Sequence, residues 1–438
     1  MPFAKNHFVP FHFHSHHWDM NIIEFYLFQS MFMIAFSMIN LFVPIYLISD
    51  VGYPLWGVIT FFLITQIFFI SSLPFSGKVI KYFGVKHSIV LQLPFYAIYY
   101  IGLQYLSGNF VSDLAILIPI IGLRAFFGSN GNVARDIFMS KNILKKNTGT
   151  MLAWWRIVIV AATVISPFIG GLVSYFYGFD KLFWIAIVIT LFSGLPLLLT
   201  SDKHFNINYK PQQLFSFIRH KADKNYLIAE AGNILSDTMM WIMWPLFLFF
   251  ALKNTADLGK LITMSAAISM GIAYFVGKKV DTSNPANLLI NGVRISSGLF
   301  LLRAISLNPF IIGIIDAFNK IIDPIFRIPY DRAAYKIIME NHDQVKMANI
   351  KQLITEIYYT IGVLILLMVV LVVPEVSVKL FITLFVVFAF IMLLMQKMAN
   401  IKFKSDDKQA VLIVEKENMI IEELKILEER NKNFEINN

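Results

Sequence analysis

Residues 43–47 read Val43-Pro44-Ile45-Tyr46-Leu47, and residues 244–248 read Trp244-Pro245-Leu246-Phe247-Leu248. Each stretch closes a long apolar run, and the two lie about 200 residues apart. The next apolar run ends in Gly77-Lys78-Val79-Ile80-Lys81 in one case and in Gly277-Lys278-Lys279-Val280-Asp281 in the other. Two matches in the same order at nearly constant spacing point to an internal duplication. They predict two similar helical halves.

Working outward from these pairs, apolar runs of about 20 residues, the length that crosses a bilayer as a helix, recur along the chain. They fall near 22–48, 56–77, 87–106, 112–139, 150–177 and 181–199, then near 225–252, 257–277, 286–306, 309–338, 348–373 and 376–398. The reading is an all-α membrane protein of twelve spans in two pseudo-symmetric six-helix bundles. Its parts are a His-rich tail at 1–21, a bundle at 22–199, a basic linker at 200–224, a second bundle at 225–400 and a charged tail at 401–438. Composition agrees. Of 438 residues 57% are hydrophobic and 15% charged, against about 25% charged in a soluble domain. Mean hydropathy is +0.65. The first 21 residues lack the apolar core of a cleavable signal, so the first span is expected to remain in the mature protein.

Orientation follows from Lys and Arg in the short loops. One set of loops carries Lys78, Lys81 and Lys86, then Lys141, Lys145 and Lys146, then the basic linker, then Lys278 and Lys279, then Lys336, Lys346 and Lys351. The alternate loops carry only Lys181, Lys253, Lys260 and Lys379. This asymmetry predicts a multi-pass protein of the cytoplasmic membrane with both termini in the cytoplasm. It also accounts for the net charge of +9 as a topology signal, with no nucleic-acid partner expected.

Gly77, Gly84 and Lys86 fit the motif G-x-x-x-D-x-x-G-R-[RK], with Lys81 where its acid belongs and Val85 where its first basic residue belongs. Gly277 and Asp281 keep the glycine and the acid in the second half. Ser166-Pro167-Phe168-Ile169-Gly170-Gly171 is similar to G-P-x-x-G-G, and Arg124-Ala125-Phe126-Phe127-Gly128 is similar to R-x-x-Q-G. On these motifs the chain resembles the major facilitator superfamily over nearly the whole membrane region. The resemblance implies two six-helix repeats rocking about a site at the bilayer midplane. It also implies conformational roles for the glycine-rich loops and for Pro167, Gly170 and Gly171. It links Arg124 with proton coupling and the Pro167 element with exporters.

Charges inside apolar spans are costly unless they face protein or water, so they mark candidate sites. The tenth span carries Asp316, Lys320, Asp323, Arg327 and Asp331. At about 100° per residue these share an arc of roughly 80°, and alternating signs allow pairing from turn to turn. The seventh span groups Glu230, Asn233, Asp237, Trp241 and Trp244 on about one third of its circumference. Trp241 joins the candidate site, and Trp244 reads as an interfacial anchor. The first span offers Gln29 and Asn40. Spans one, four, seven and ten should therefore line a central cavity. Arg156 and Glu356, at equivalent positions of spans five and eleven, read as contacts between halves or with loops. His7, His12, His14, His16 and His17 could bind metal, though no metal site is assigned.

The chain has no cysteine, no H-E-x-x-H, no G-x-S-x-G and no Walker lysine loop. Neither an enzyme nor an ATP-driven pump is expected. The expected function is secondary active transport of a small solute by alternating access, coupled to protons, with efflux as the suggested direction. No cofactor is needed beyond the proton gradient, and the working unit is a monomer in the bilayer. The alternative is a transporter-like sensor or lipid-handling protein without ion coupling.

Overall fold

The computed structural model describes residues 20–139, 148–199, 202, 211–220, 222–264, 267, 285–305, 309–339, 343–373 and 377–401. The His-rich tail, the charged tail, Gly277 and Asp281 lie outside the described residues, as do the side chain of Arg156 and the lysines of the 140–147 loop. Among the described residues there is no strand.

The helices begin and end where local chemistry dictates. α1 (Met20–Asn40) and α2 (Val43–Ser49) form one apolar stretch, interrupted ahead of Pro44, which occupies the first turn of α2. Proline is tolerated there because that turn has no internal partner for its N–H. α3 (Leu55–Ser72) passes through a 3-10 turn at Leu73–Phe75 into α4 (Ser76–Phe83). Gly84, at φ 88°, reverses the chain into α5 (Val85–Leu103). α6 (Phe110–Phe138) starts at Asn109, whose side chain accepts from the amides of Val111 and Ser112. Such caps satisfy donors that the helix leaves open. α7 (Thr148–Ser193) is assigned 46 residues, but Gly178 is non-helical within it, at φ 80° and ψ 169°. At 1.5 Å per residue an unbroken helix would be about 70 Å long, roughly twice a bilayer core. It is two helices joined at a glycine turn.

α8 (Pro211–His220) is the short linker helix. Asp223 caps α9 (Lys224–Leu252), which ends at Lys253 in the left-handed conformation, φ 56°. There follow α10 (255–264), α11 (Pro285–Ile305), α12 (Pro309–Met339), α13 (Gln344–Val372) and α14 (Val378–Met392), the last extended by a 3-10 segment, Leu393–Asn400.

Among the described residues seven helices are long and apolar enough to cross a membrane. The chain is a multi-pass membrane protein. α12 falls outside this set because of its charges, and α7 counts once although it holds two helices.

Contacts tie the first set of helices to the second at both ends of the bundle. At the end bearing the linker, Asn349 of α13 donates to the carbonyl of Leu73 at 3.1 Å. Lys351 of α13 reaches Asp136 of α6 at 3.2 Å. At the far end α7 and α10 meet through small residues. A Cβ on Gly171 would lie 2.5 Å from the Thr255 carbonyl oxygen, and one on Gly259 would lie 2.4 Å from that of Pro167. Thr263 donates to the Val164 carbonyl at 2.8 Å.

Candidate transport site

α12 carries the charges that sequence periodicity puts on one face, and its neighbours complete them. Asp316 is buried. It bonds Arg303 of α11 at 3.1 Å and Lys320, one turn along α12, at 3.1 Å. Lys320 also donates to the Ile262 carbonyl of α10 at 2.9 Å. Arg303 is fully buried, its guanidinium 4.2 Å from the ring centre of Trp244 and 5.0 Å from that of Phe300. A cation over an aromatic face is stabilised by the ring quadrupole, more so when dry. Trp244 is thus a buried platform for Arg303 and not the interfacial anchor its position near a span end suggests, because a cation inside the bundle claims its face.

One and two turns further, Arg327 joins two helices. Its guanidinium donates to both oxygens of Asp237 on α9, at 2.8 and 3.1 Å, to Asp323 at 3.3 Å, and to the Asn233 side chain. A two-pronged arginine–carboxylate contact adds geometric definition to the charge pairing. Glu230, also on α9, is buried and accepts from the hydroxyls of Tyr330 on α12 and Thr355 on α13, the latter at 3.0 Å. Asp331 is half-buried at the end of the same face. The α9 and α12 stripes therefore meet. Asp237, Asp323 and Arg327 form one cluster, and Asp316 and Lys320 form another with Arg303.

Arg124 on α6 is buried within aromatic rings. Its guanidinium lies 4.5 Å from the ring centre of Tyr99, 5.0 Å from Tyr96 and 5.9 Å from Phe69. Its Nε has no hydrogen-bond partner. Glu356 on α13 is buried and accepts from Gln352 at 2.8 Å. Among the described residues no ion pair joins Glu356 to Arg124.

Gln29 is buried on α1 with an unpartnered side-chain oxygen, whereas Asn40 turns back onto the Phe36 carbonyl at 2.8 Å. Trp241 is 43% exposed and meets Phe36 of α1 edge-on, with ring centres 6.3 Å apart.

The loop motif is organised by residues outside it. Lys86 is buried against Glu24 of α1 at 2.8 Å. Asp202, from the linker, accepts from the backbone N–H groups of Lys86 and His87 at 2.9 and 2.8 Å, and its carboxylate lies 3.0 Å from the His87 ring. A Cβ on Gly84 would lie 2.3 Å from that carboxylate, so only glycine admits Asp202 there. An acid thus sits at the start of α5 although Lys81 occupies the motif's acidic position. Gly77 is buried in α4. In α7, Pro167, Gly170 and Gly171 form the packing edge, Gly170 against the Met38 backbone and Gly171 against α10.

Sequence reasoning misses Arg303, Glu24, Asp202 and the Asp136–Lys351 pair. A lone charge within an apolar run is a signal for the first two. The tyrosines of α5 give no signal apart from their abundance.

No family model matches the chain, and no curated protein matches its sequence. Solved structures do match. The nucleoside transporter NupG superposes with a TM-score of 0.62 at 12% identity, over 88% of this chain and 100% of that one. The human organic anion transporter MFSD10 gives 0.61 at 11%, over 87% and 99%. The fucose:proton symporter FucP of E. coli, as an N162A variant, gives 0.58 at 15%, over 87% and 99%. These are transporters of one architecture, matched along almost their whole length. The chain has the fold of a major facilitator superfamily transporter.

Proposed function

We propose that the chain is a proton-coupled secondary transporter that moves a small solute across the cytoplasmic membrane by alternating access, without an enzymatic step. The observation that carries this reading is the charge network joining α9, α11 and α12, buried at Asp316 and Arg303 and half-buried at Lys320, Asp323, Arg327 and Asp237. Buried ion pairs contribute little net stability and are often matched by apolar replacements. Ionisable groups within membrane spans mark ion and substrate pathways. A purely structural bundle has no need of so many. The fold likeness to transporters supports the same reading.

The reading includes twelve spans, with 22–199 and 225–400 as the moving halves and both termini in the cytoplasm. Opening one end requires breaking Asp136–Lys351 and Asn349–Leu73, and opening the other requires parting α7 from α10. The Pro167 element favours efflux as the physiological direction, and the working unit is a monomer.

The test is uptake by purified protein in proteoliposomes. Solutes from a mixed library are followed across an imposed pH gradient. Accumulation that collapses with a protonophore supports proton-coupled transport. Equilibration unaffected by the gradient would refute the coupling, and no solute movement at all would favour the sensor or lipid-handling alternative.

A further inference from the structure

Among the described residues three tryptophans are exposed, Trp56, Trp184 and Trp241. Trp56 is the second residue of α3, and Trp184 stands less than two turns beyond the Gly178 turn. Both lie beside far-end loops, where indoles anchor at the membrane surface. Trp241 has no such place. At 1.5 Å per residue it stands about 25 Å from the linker-side start of α9 and about 16 Å from its far end. That is the interior of a core about 30 Å thick.

The direction of its ring is set by its neighbours. Asp237 lies one turn away on the same face, and Arg327 of α12 holds its carboxylate at 2.8 Å. Trp241 itself meets Phe36 of α1 edge-on, with ring centres 6.3 Å apart and planes at 67°. Phe36 stands about 24 Å from the linker-side start of α1, level with Trp241. Tyr96 of α5 backs Phe36 in turn, edge-on at 6.5 Å. The indole therefore looks toward the first set of helices and away from lipid, yet it is 43% exposed. Among the described residues no acceptor takes its N–H.

Resting on the transporter reading, we infer that Trp241, with Phe36 beside it, receives the ring of a planar aromatic solute, whose carbonyl or ring nitrogen accepts from the Trp241 N–H. Covering exposed indole surface gains apolar burial, and a second aromatic ring adds stacked or edge-on attraction between quadrupoles. A flat ring lies along the whole indole face, whereas a puckered saturated ring of the same size touches it through a few hydrogens. Phe36 and Trp241 come from the two sets of helices, so a ring seated on both reports on their approach. Were Trp241 only a spacer between α1 and α9, its replacement would change the binding of all solutes alike. Ring recognition instead changes the ratio between planar and saturated solutes.

The experiment uses the full chain in detergent and in proteoliposomes, with uncharged probe pairs that differ in ring saturation: benzamide against cyclohexanecarboxamide, 4-hydroxybenzamide against trans-4-hydroxycyclohexanecarboxamide, and uracil against 5,6-dihydrouracil. Binding is read by calorimetry and movement by counterflow. At least one planar probe should bind at millimolar concentration, about tenfold tighter than its saturated partner. Trp241→Ala should bring the two within about twofold of each other, and Trp241→Leu gives the same comparison where the alanine variant is unstable. Trp241→Phe should retain a planar preference, which shows that the ring and not the bulk is read. Equal binding within every pair, a planar preference undiminished in Trp241→Ala and Trp241→Leu, or no planar probe bound would each overturn the inference. Movement of saturated solutes alone would overturn the ring site and leave the transporter standing. Ring binding that depends on Trp241, with no movement of any solute, would do the reverse.

Discussion

The Asp136–Lys351 contact should act as a latch at the linker-side end, and its strength can be worked from the structure. The charges are 3.2 Å apart, with side-chain exposures of 13% and 20%. At an effective dielectric of about 20 the Coulomb attraction is about 5 kcal/mol. Desolvation of both groups removes much of it, leaving a coupling of about 1–3 kcal/mol, a fivefold to 150-fold bias toward the closed end. The perturbation is Lys351→Met combined with Asp136→Asn, so that no buried charge is left alone. Lys351→Met by itself leaves Asp136, among the described residues, with the Tyr335 hydroxyl at 3.3 Å as its hydrogen-bond donor. The chain lacks cysteine, so spin labels at Tyr82→Cys and Arg332→Cys attach nowhere else. Both positions are exposed, one on α4 and one on α12. Pulsed dipolar spectroscopy should show the longer-distance population rise several-fold or more in the double variant. Distance distributions identical to those of the unmodified latch would refute the reasoning, because the contact would then bias nothing.

Four further outcomes follow from named contacts. Arg303→Met should lower stability by about 3 kcal/mol, read as thermal denaturation in detergent, and Arg303→Met with Asp316→Asn should recover part of it, since breaking one side of a buried pair costs more than removing both. Gly259→Val should force α10 away from the Pro167 carbonyl, so a cysteine at Thr263 should be alkylated faster than in the parent. Asp202→Ala should lose about 1 kcal/mol of helix-start stabilisation at α5, seen as a lower melting temperature without loss of solute binding. Asp316→Asn and Asp323→Asn should each leave counterflow intact, and survival of uphill transport in both would move coupling to a buried acid without an ion pair among the described residues, Glu230 or Glu356.

What the sequence makes legible is set by local physics. Apolar runs near bilayer length and the 3.6-residue period of α12 are properties of neighbouring residues. They give the helices and the shared face of Asp316, Lys320, Asp323 and Arg327 directly. Pairing across helices is not local. Arg303 reads as an arginine near a span end, and only the approach of α11 to α12 turns it into the partner of Asp316. Trp244 reads as an anchor until Arg303 lies over it. Asp202 sits in a linker of no evident pattern, yet it puts a carboxylate at the loop where Lys81 departs from the motif.

The two ends of the bundle are closed by different chemistry, and this difference bears on how the proposed transport cycle would be driven. The linker-side end relies on an ion pair and an amide-to-carbonyl bond, both of which water can replace once the helices part. The far end relies on glycine-mediated backbone approach between α7 and α10, where separation exposes apolar surface and frees few polar groups. A charge change within the bundle, such as protonation of an acid or arrival of an anion, acts at long range on the ionic closure and hardly at all on the small-residue one. Under the proposed proton coupling, proton movement would therefore favour opening on the linker side, while the far end would respond chiefly to the packing of its small residues. Energy from a proton gradient could then enter through one gate and solute selection through the other.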